Sequence, residues 1–154
     1  MRVRSFVVAL IVAAGGSLVM ALPVDAACTI SATPVTFGGY NVFGVTPLDA
    51  AGQVTFRCVG PPTPLVRITL DKGGAPSFSP RLLHSGGQTL SYNLYLDAAR
   101  TVTWGDGTGG TQFFLLANPQ NGQSVAVPVY GRVPAGQDVS AGSYTNTVTV
   151  TIFF

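Results

Sequence analysis

Covalent or metal chemistry beyond residue 26 could draw on two cysteines (Cys28, Cys58), one histidine (His84) and five aspartates; the chain has no glutamate. Thiols exposed to an oxidising compartment pair, so Cys28 and Cys58 are predicted to form a disulfide. Closing a loop of roughly thirty residues in this way restricts the unfolded chain by about 3.5 kcal/mol. Two cysteines and one histidine fall short of a zinc set. A Ser-His-Asp site built on His84 and Asp97 would need an activated serine, and the sequence carries no Gly-x-Ser-x-Gly elbow. His84 therefore reads as a solvated loop residue. Asp106-Gly107-Thr108-Gly109-Gly110 lacks the spaced carboxylates and terminal glutamate of a calcium loop, and reads as a glycine-rich turn after Trp104. Asp97 is expected to cap a turn before Ala98-Ala99, with Arg100 as its ion-pair partner. No catalytic group, metal or cofactor is implied, and the chain does not read as an enzyme.

Recognition through surfaces is the remaining chemistry. Trp104, Tyr92, Tyr95 and Tyr130 would form a sugar-stacking platform if they shared an exposed face. The alternation of Tyr92, Leu94 and Leu96 argues instead for packing in a core. Tyr40 and Phe43, within the glycine-rich stretch 38–44, and Phe78, between Ser77 and Ser79, are the candidate contact loop residues. Apolar loop tips mark contact surfaces when they cluster; the competing role is to tuck over the ends of the fold.

Strands must position these residues, because no helical periodicity of useful length follows the N-terminal segment while period-2 alternation recurs. Strands are predicted over 28–32, resuming at 35–37 after Pro34, then over 53–59, 65–70, 112–116 and 123–133. Leu82-Leu83 and 89–96 read as arms of a hairpin across Ser85-Gly86-Gly87. Pro128, inside the run 125–133, is expected to place that strand at a sheet edge or a bulge, because it has no amide to donate. The most regular pattern runs from Tyr144 to Phe154, with Val148, Val150, Ile152 and Phe154 on one face and Thr147, Thr149 and Thr151 on the other. Seven or eight short strands with Gly/Pro turns describe an all-β Greek-key sandwich. A domain closing on such a strand can leave an open edge, which either aggregates or receives a strand from another chain.

The N-terminus reads as a secretory leader. A basic start (Met1-Arg2-Val3-Arg4) precedes an apolar run over 6–14, and Val24-Asp25-Ala26 fits a signal peptidase site with cleavage after Ala26. The apolar run is short for a spanning helix, so residues 27–154 are expected as one exported domain, not membrane-spanning. Those residues keep six basic and five acidic side chains. Such a balance offers no basic patch for nucleic acid.

Several longer motifs resemble the spore coat protein U domain family. They are Tyr92-Asn93-Leu94-Tyr95-Leu96-Asp97-Ala98-Ala99-Arg100, followed by Trp104-Gly105-Asp106-Gly107, and Val129 through Gln137, followed by Val139-Ser140-Ala141-Gly142-Ser143-Tyr144. Cys28-Thr29-Ile30 with Phe37-Gly38 matches the family's opening. The resemblance spans essentially the whole of 27–154 and implies an archaic chaperone–usher pilin-like subunit. It implies an immunoglobulin-like sandwich missing its last strand, with a disulfide at Cys28 and Cys58 joining the first two strands. The implied partners are a periplasmic chaperone, an outer-membrane usher and neighbouring pilin-like subunits, and the implied destination is a surface fibre or coat. Tyr144, Val148, Val150, Ile152 and Phe154 are then expected to line the edge of an acceptor groove. A start at Ala27 would leave no donor segment, which suggests a fibre tip or cap. The rival expectations are a self-contained coat protein and a secreted carbohydrate-binding module.

Overall fold

Eight strands, each antiparallel to its neighbours, carry the regular structure of residues 25–154, the part of the chain that the computed structural model describes. The expected leader lies almost wholly outside the described residues. In chain order the strands are β1 (Ala27–Thr33), β2 (Leu48–Val59), β3 (Leu65–Leu70), β4 (Arg81–Ser85), β5 (Gln88–Tyr95), β6 (Phe114–Ala117), β7 (Ser124–Val133) and β8 (Val150–Phe153). They form a five-stranded sheet in the order β1-β2-β7-β5-β4 and a three-stranded sheet in the order β6-β3-β8. The fold is an all-β sandwich, as the alternation and turn spacing predict.

The core follows from strand periodicity. Alternate residues of a strand share a face, and Val54, Phe56 and Cys58 of β2 meet Val66, Ile68 and Leu70 of β3 in one buried cluster. Leu90, Tyr92 and Leu94 of β5 join it, with Val127, Val129 and Val133 of β7. Cys28 and Cys58 are direct cross-strand partners and are bonded through an S–S link of 2.01 Å, which staples β1 to β2. The β4–β5 hairpin turns through Gly86-Gly87, with Ser85 opposite Gln88 and Gly86 at φ +56°. Positive φ costs glycine nothing, which is why the two-residue turn falls there.

Two expectations are corrected. Pro128 lies within β7, an interior strand, opposite Gln53 of β2. It is tolerated because β5 pairs with β7 only over Tyr130–Arg132, so at Pro128 the strand has a neighbour on one side alone. The regular strand expected from Tyr144 to Phe154 is paired with β3 only over Val150–Phe153. Its alternation survives upstream, with Tyr144, Asn146 and Val148 half-buried and Thr145, Thr147 and Thr149 exposed. The pairing does not, because Thr145 bridges His84 of β4 while Thr151 faces Thr69 of β3. The chain crosses between the two sheets over 146–148. Phe154, expected on the inward face, is 54% exposed, because the pairing stops one residue before it.

Candidate functional site: an open groove between two unpaired edges

The first lip of the groove begins where β1 ends. Pro34 has no amide to continue the pairing with β2, and Val35 and Phe37 turn onto the inner face of the five-stranded sheet. Two glycines make room for them. A Cβ at Gly131 would lie 2.7 Å from both Phe37 Cζ and Val35 Cγ1, and one at Gly52 would lie 2.6 Å from the Thr33 carbonyl oxygen. Any side chain there would push the segment off the sheet. Phe37 then stacks edge-on against Tyr92, with ring centroids 6.0 Å apart.

The second lip is the stretch leading into β8. Its outer end is held by the Tyr144 hydroxyl, which donates to the Ser140 carbonyl at 2.8 Å. Thr145 and His84 exchange backbone bonds of 2.8 and 3.0 Å. Its inner end is clamped by Asp71, whose carboxylate accepts the Thr149 amide at 2.9 Å while its own amide donates to the Thr149 carbonyl at 3.1 Å. Partial burial works against the charged Asp71 carboxylate. The amides of Thr149 and Gly73, with the Arg81 charge nearby, outweigh that and hold its pKa below the ordinary value.

Asp71 is itself positioned by Arg81, a residue that nothing in the sequence pattern singles out. Arg81 is 0% exposed. It donates to the Asp71 carbonyl twice (3.0 and 2.9 Å), to Asn93 Oδ1 at 2.7 Å and to the Trp104 carbonyl at 2.7 Å. A buried guanidinium is tolerable only when its fork is satisfied in this way.

Between the lips lie two adjoining cavities of about 1080 and 330 Å³, which share Pro34, Val35, Phe37, Leu83 and Asn146 in their walls. Leu48, Leu83, Leu90 and Val133 floor the larger. Val54, Leu70, Leu94 and Val129 floor the smaller. No charged side chain lines either one. Among the described residues, neither 34–40 nor 146–148 makes a backbone–backbone hydrogen bond. The result is an apolar floor flanked by two strips of unpaired backbone, the geometry a strand fills.

Of the expected edge residues, Tyr144 lines the larger cavity and Val148 and Val150 the smaller. Ile152 is half-buried against the core, and Phe154 lies beyond it. Asn146, which lines both cavities, went unread because a polar residue in an inward slot looks like a break in the pattern.

The expected contact-loop aromatics separate. Phe43 is 90% exposed, beside Val45 at 93%. Tyr40 is half-buried, its hydroxyl donating to the Pro134 carbonyl at 3.0 Å and accepting the Gln137 amide at 2.8 Å. Phe78 is buried, with the cations of Arg81 and Lys72 over its ring at 5.2 and 5.8 Å. Of the two roles weighed for it, Phe78 takes the tucked one, as the cover over Arg81.

The four aromatics of the sugar-platform reading do not share a face either. Trp104 and Tyr92 are in the core, with Trp104 Nε1 donating to the Ile68 carbonyl at 3.1 Å. Tyr95 and Tyr130 are cross-strand partners and half-buried. His84 lies in β4 opposite Thr89, away from Asp97. Asp97 caps a turn by accepting the Thr101 and Val102 amides. With that carboxylate occupied, Arg100 pairs with Asp49 at 3.3 Å, not with Asp97 as expected.

Residues 15–151 match the family model described as Spore Coat Protein U domain. The chain belongs to the spore coat protein U domain family. Over 66 residues it is 47% identical to Protein U of Myxococcus xanthus, a match covering 42% of this chain and 34% of that protein. Its fold is similar to a chain in the crystal structure of the CsuC–CsuE chaperone–tip adhesion subunit pre-assembly complex from archaic chaperone-usher Csu pili of Acinetobacter baumannii. That match has a TM-score of 0.54 at 23% identity, covering 84% of this chain and 40% of the other. This spore coat U chain therefore spans about a third of the length of one relative and two-fifths of the other.

Proposed function

We propose that this protein is an exported structural or adhesive subunit of a surface fibre or coat, and that its groove is completed by a strand from another chain. One observation carries the reading: two facing strips of backbone, 34–40 and 146–148, lack backbone partners over an uncharged apolar floor. An added strand would satisfy both strips and cover the floor in one step. Family membership supports this, since the similar solved fold comes from a chaperone–subunit complex.

On this reading residues 1–26 are the leader and 27–154 the exported domain. A periplasmic chaperone protects the groove, an outer-membrane usher passes the subunit on, and a neighbouring subunit supplies the final strand. The role is mechanical, with no catalytic step.

Periplasmic expression with and without a co-encoded chaperone, followed by native mass spectrometry, tests it. The expected product is a one-to-one complex with the Cys28–Cys58 bond intact. A cooperatively folding monomer that forms without any chaperone overturns the reading and favours a self-contained coat protein. The same spectra give the N-terminus of the exported protein. A start at Ala27 supports a position at a fibre end, whereas an alternating segment ahead of Cys28 makes the subunit a donor as well.

A further inference from the structure

The outer face of the three-stranded sheet centres on Arg67. Val66, Ile68 and Leu70 of β3 point into the core, so Leu65, Arg67 and Thr69 share the opposite face. Arg67 is directly opposite Leu115 of β6 and Phe153 of β8. Its guanidinium carbon lies 4.2 Å from the centroid of the Phe153 ring and 5.3 Å from that of Phe113. Phe113 is backed in turn by Gly107, where a Cβ would lie 2.8 Å from Phe113 Cε1. The nearby Asp106 carboxylate is occupied by Thr108, accepting its amide at 2.8 Å and its hydroxyl at 2.6 Å. Beyond residue 26 every other arginine or lysine donates to an oxygen. Arg57 donates to the Gly122 carbonyl, Lys72 to that of Pro76, Arg81 to that of Trp104, Arg100 to that of Gly131 and Arg132 to Asp49. Among the described residues, Arg67 alone has two aromatic rings and no acceptor.

We infer that Arg67, flanked by Phe113 and Phe153, binds the carboxylate of a sugar acid, a uronic acid within an acidic polysaccharide. A guanidinium over aromatic rings keeps its N–H donors for an anion. One unpaired positive charge calls for one singly charged group. A planar carboxylate meets the guanidinium fork with two parallel bonds, whereas a phosphate monoester brings nearly two charges to a site that holds one. The surroundings call for a sugar and not a free anion. Leu65, Leu115 and Phe153 are 46%, 50% and 44% exposed, and the C–H face of a sugar ring covers such a surface while its hydroxyls stay in water. The area excludes a stable protein partner. Three side chains about half exposed leave roughly 300 Å² of apolar surface, against about 800 Å² per partner in a standard protein interface. None of these residues lines the groove, so the site stands whether or not another chain completes the domain.

The test titrates the full exported chain with trigalacturonate and with its fully methyl-esterified form, which keeps every ring but no charge. Where the chain is recovered with a chaperone, that complex is titrated and the chaperone alone is the blank. The ester should bind at least about tenfold more weakly than the acid. Arg67→Met keeps the apolar stem and should weaken binding of the acid about tenfold as well. Arg67→Lys should restore less than about half of that loss on a logarithmic scale, because an ammonium has no fork. Equal affinity for acid and ester overturns the inference, as does unchanged affinity in Arg67→Met or no binding up to about 10 mM. Stronger competition by methyl phosphate than by acetate overturns the choice of a carboxylate. Should Arg67→Met fail to fold, the acid and ester on the wild-type chain still decide. None of these outcomes bears on the groove, whose test is the chaperone experiment above.

Discussion

Replacing Asp71 by alanine isolates the clamp that fixes the second lip. The carboxylate accepts two backbone amides, Gly73 and Thr149, each at 2.9 Å. A hydrogen bond to a charged group is worth about 1.5–3 kcal/mol net. Asp71 is exposed, and screening at such a site brings the two bonds together to about 1.5–3 kcal/mol. For a domain of this size that corresponds to a fall in Tm of roughly 5–11 °C. The loss should also depend on pH with a definite sign. The folded-state pKa of Asp71 is depressed, so its stabilisation is fully present above the unfolded value of about 3.9. It is lost as the pH falls through the lower folded-state value. The gap between wild type and Asp71→Ala should thus be constant near neutrality, begin to close below about pH 4 and vanish in stronger acid. Urea unfolding across this range, with the disulfide intact, measures the gap. Native-state hydrogen exchange at the Thr149 amide should accelerate more than exchange at core amides such as Phe56. A gap below about 0.5 kcal/mol at neutral pH, the ordinary range of surface substitutions, would refute the clamp, as would a gap that persists unchanged in acid.

Three further predictions follow from the same geometry. Arg81→Met strands the carbonyls of Asp71 and Trp104 and takes one of two donors from Asn93 Oδ1, and should destabilise the domain by about 3–5 kcal/mol in urea. Arg81→Lys should recover little of this, because an ammonium has no planar fork to reach three acceptors. Gly131→Val should cost about 1–3 kcal/mol and expel Phe37 from the first lip, seen as loss of the nuclear Overhauser contact between the Phe37 and Tyr92 rings. Serine at both Cys28 and Cys58 opens a bridge with a sequence separation of 30. By the loop-entropy estimate it should lower stability by about 3.5 kcal/mol in thermal unfolding, and a loss under about 1 kcal/mol would mean that β1 is held by its pairing alone.

The parts of this molecule that sequence made legible, and the parts it did not, divide along a physical line. Alternation states which side chains share a face, and it correctly grouped Val54 with Phe56 and Cys58, and Val66 with Ile68 and Leu70. Glycine pairs state where a two-residue turn can form, and Gly86-Gly87 marked the β4–β5 hairpin. Neither signal states which strand lies alongside. Tyr144 to Phe154 was therefore readable as one alternating stretch, although Thr145 joins one sheet and Thr151 the other. Arg81 was illegible for a related reason. Its acceptors come from positions 71, 93 and 104, and only the tertiary fold brings three such carbonyl oxygens around one guanidinium. The same crossing that hid the end of the chain from pattern reading also builds the groove. A strand that stayed with one sheet would carry its pairing through 146–148. Because it changes sheets there, those residues are left without backbone partners, facing a first lip that Pro34 has already freed from β2. The proline and the crossing open opposite sides of one gap, and the Asp71–Arg81 clamp and the Gly52 and Gly131 notches hold those sides in place over an apolar floor.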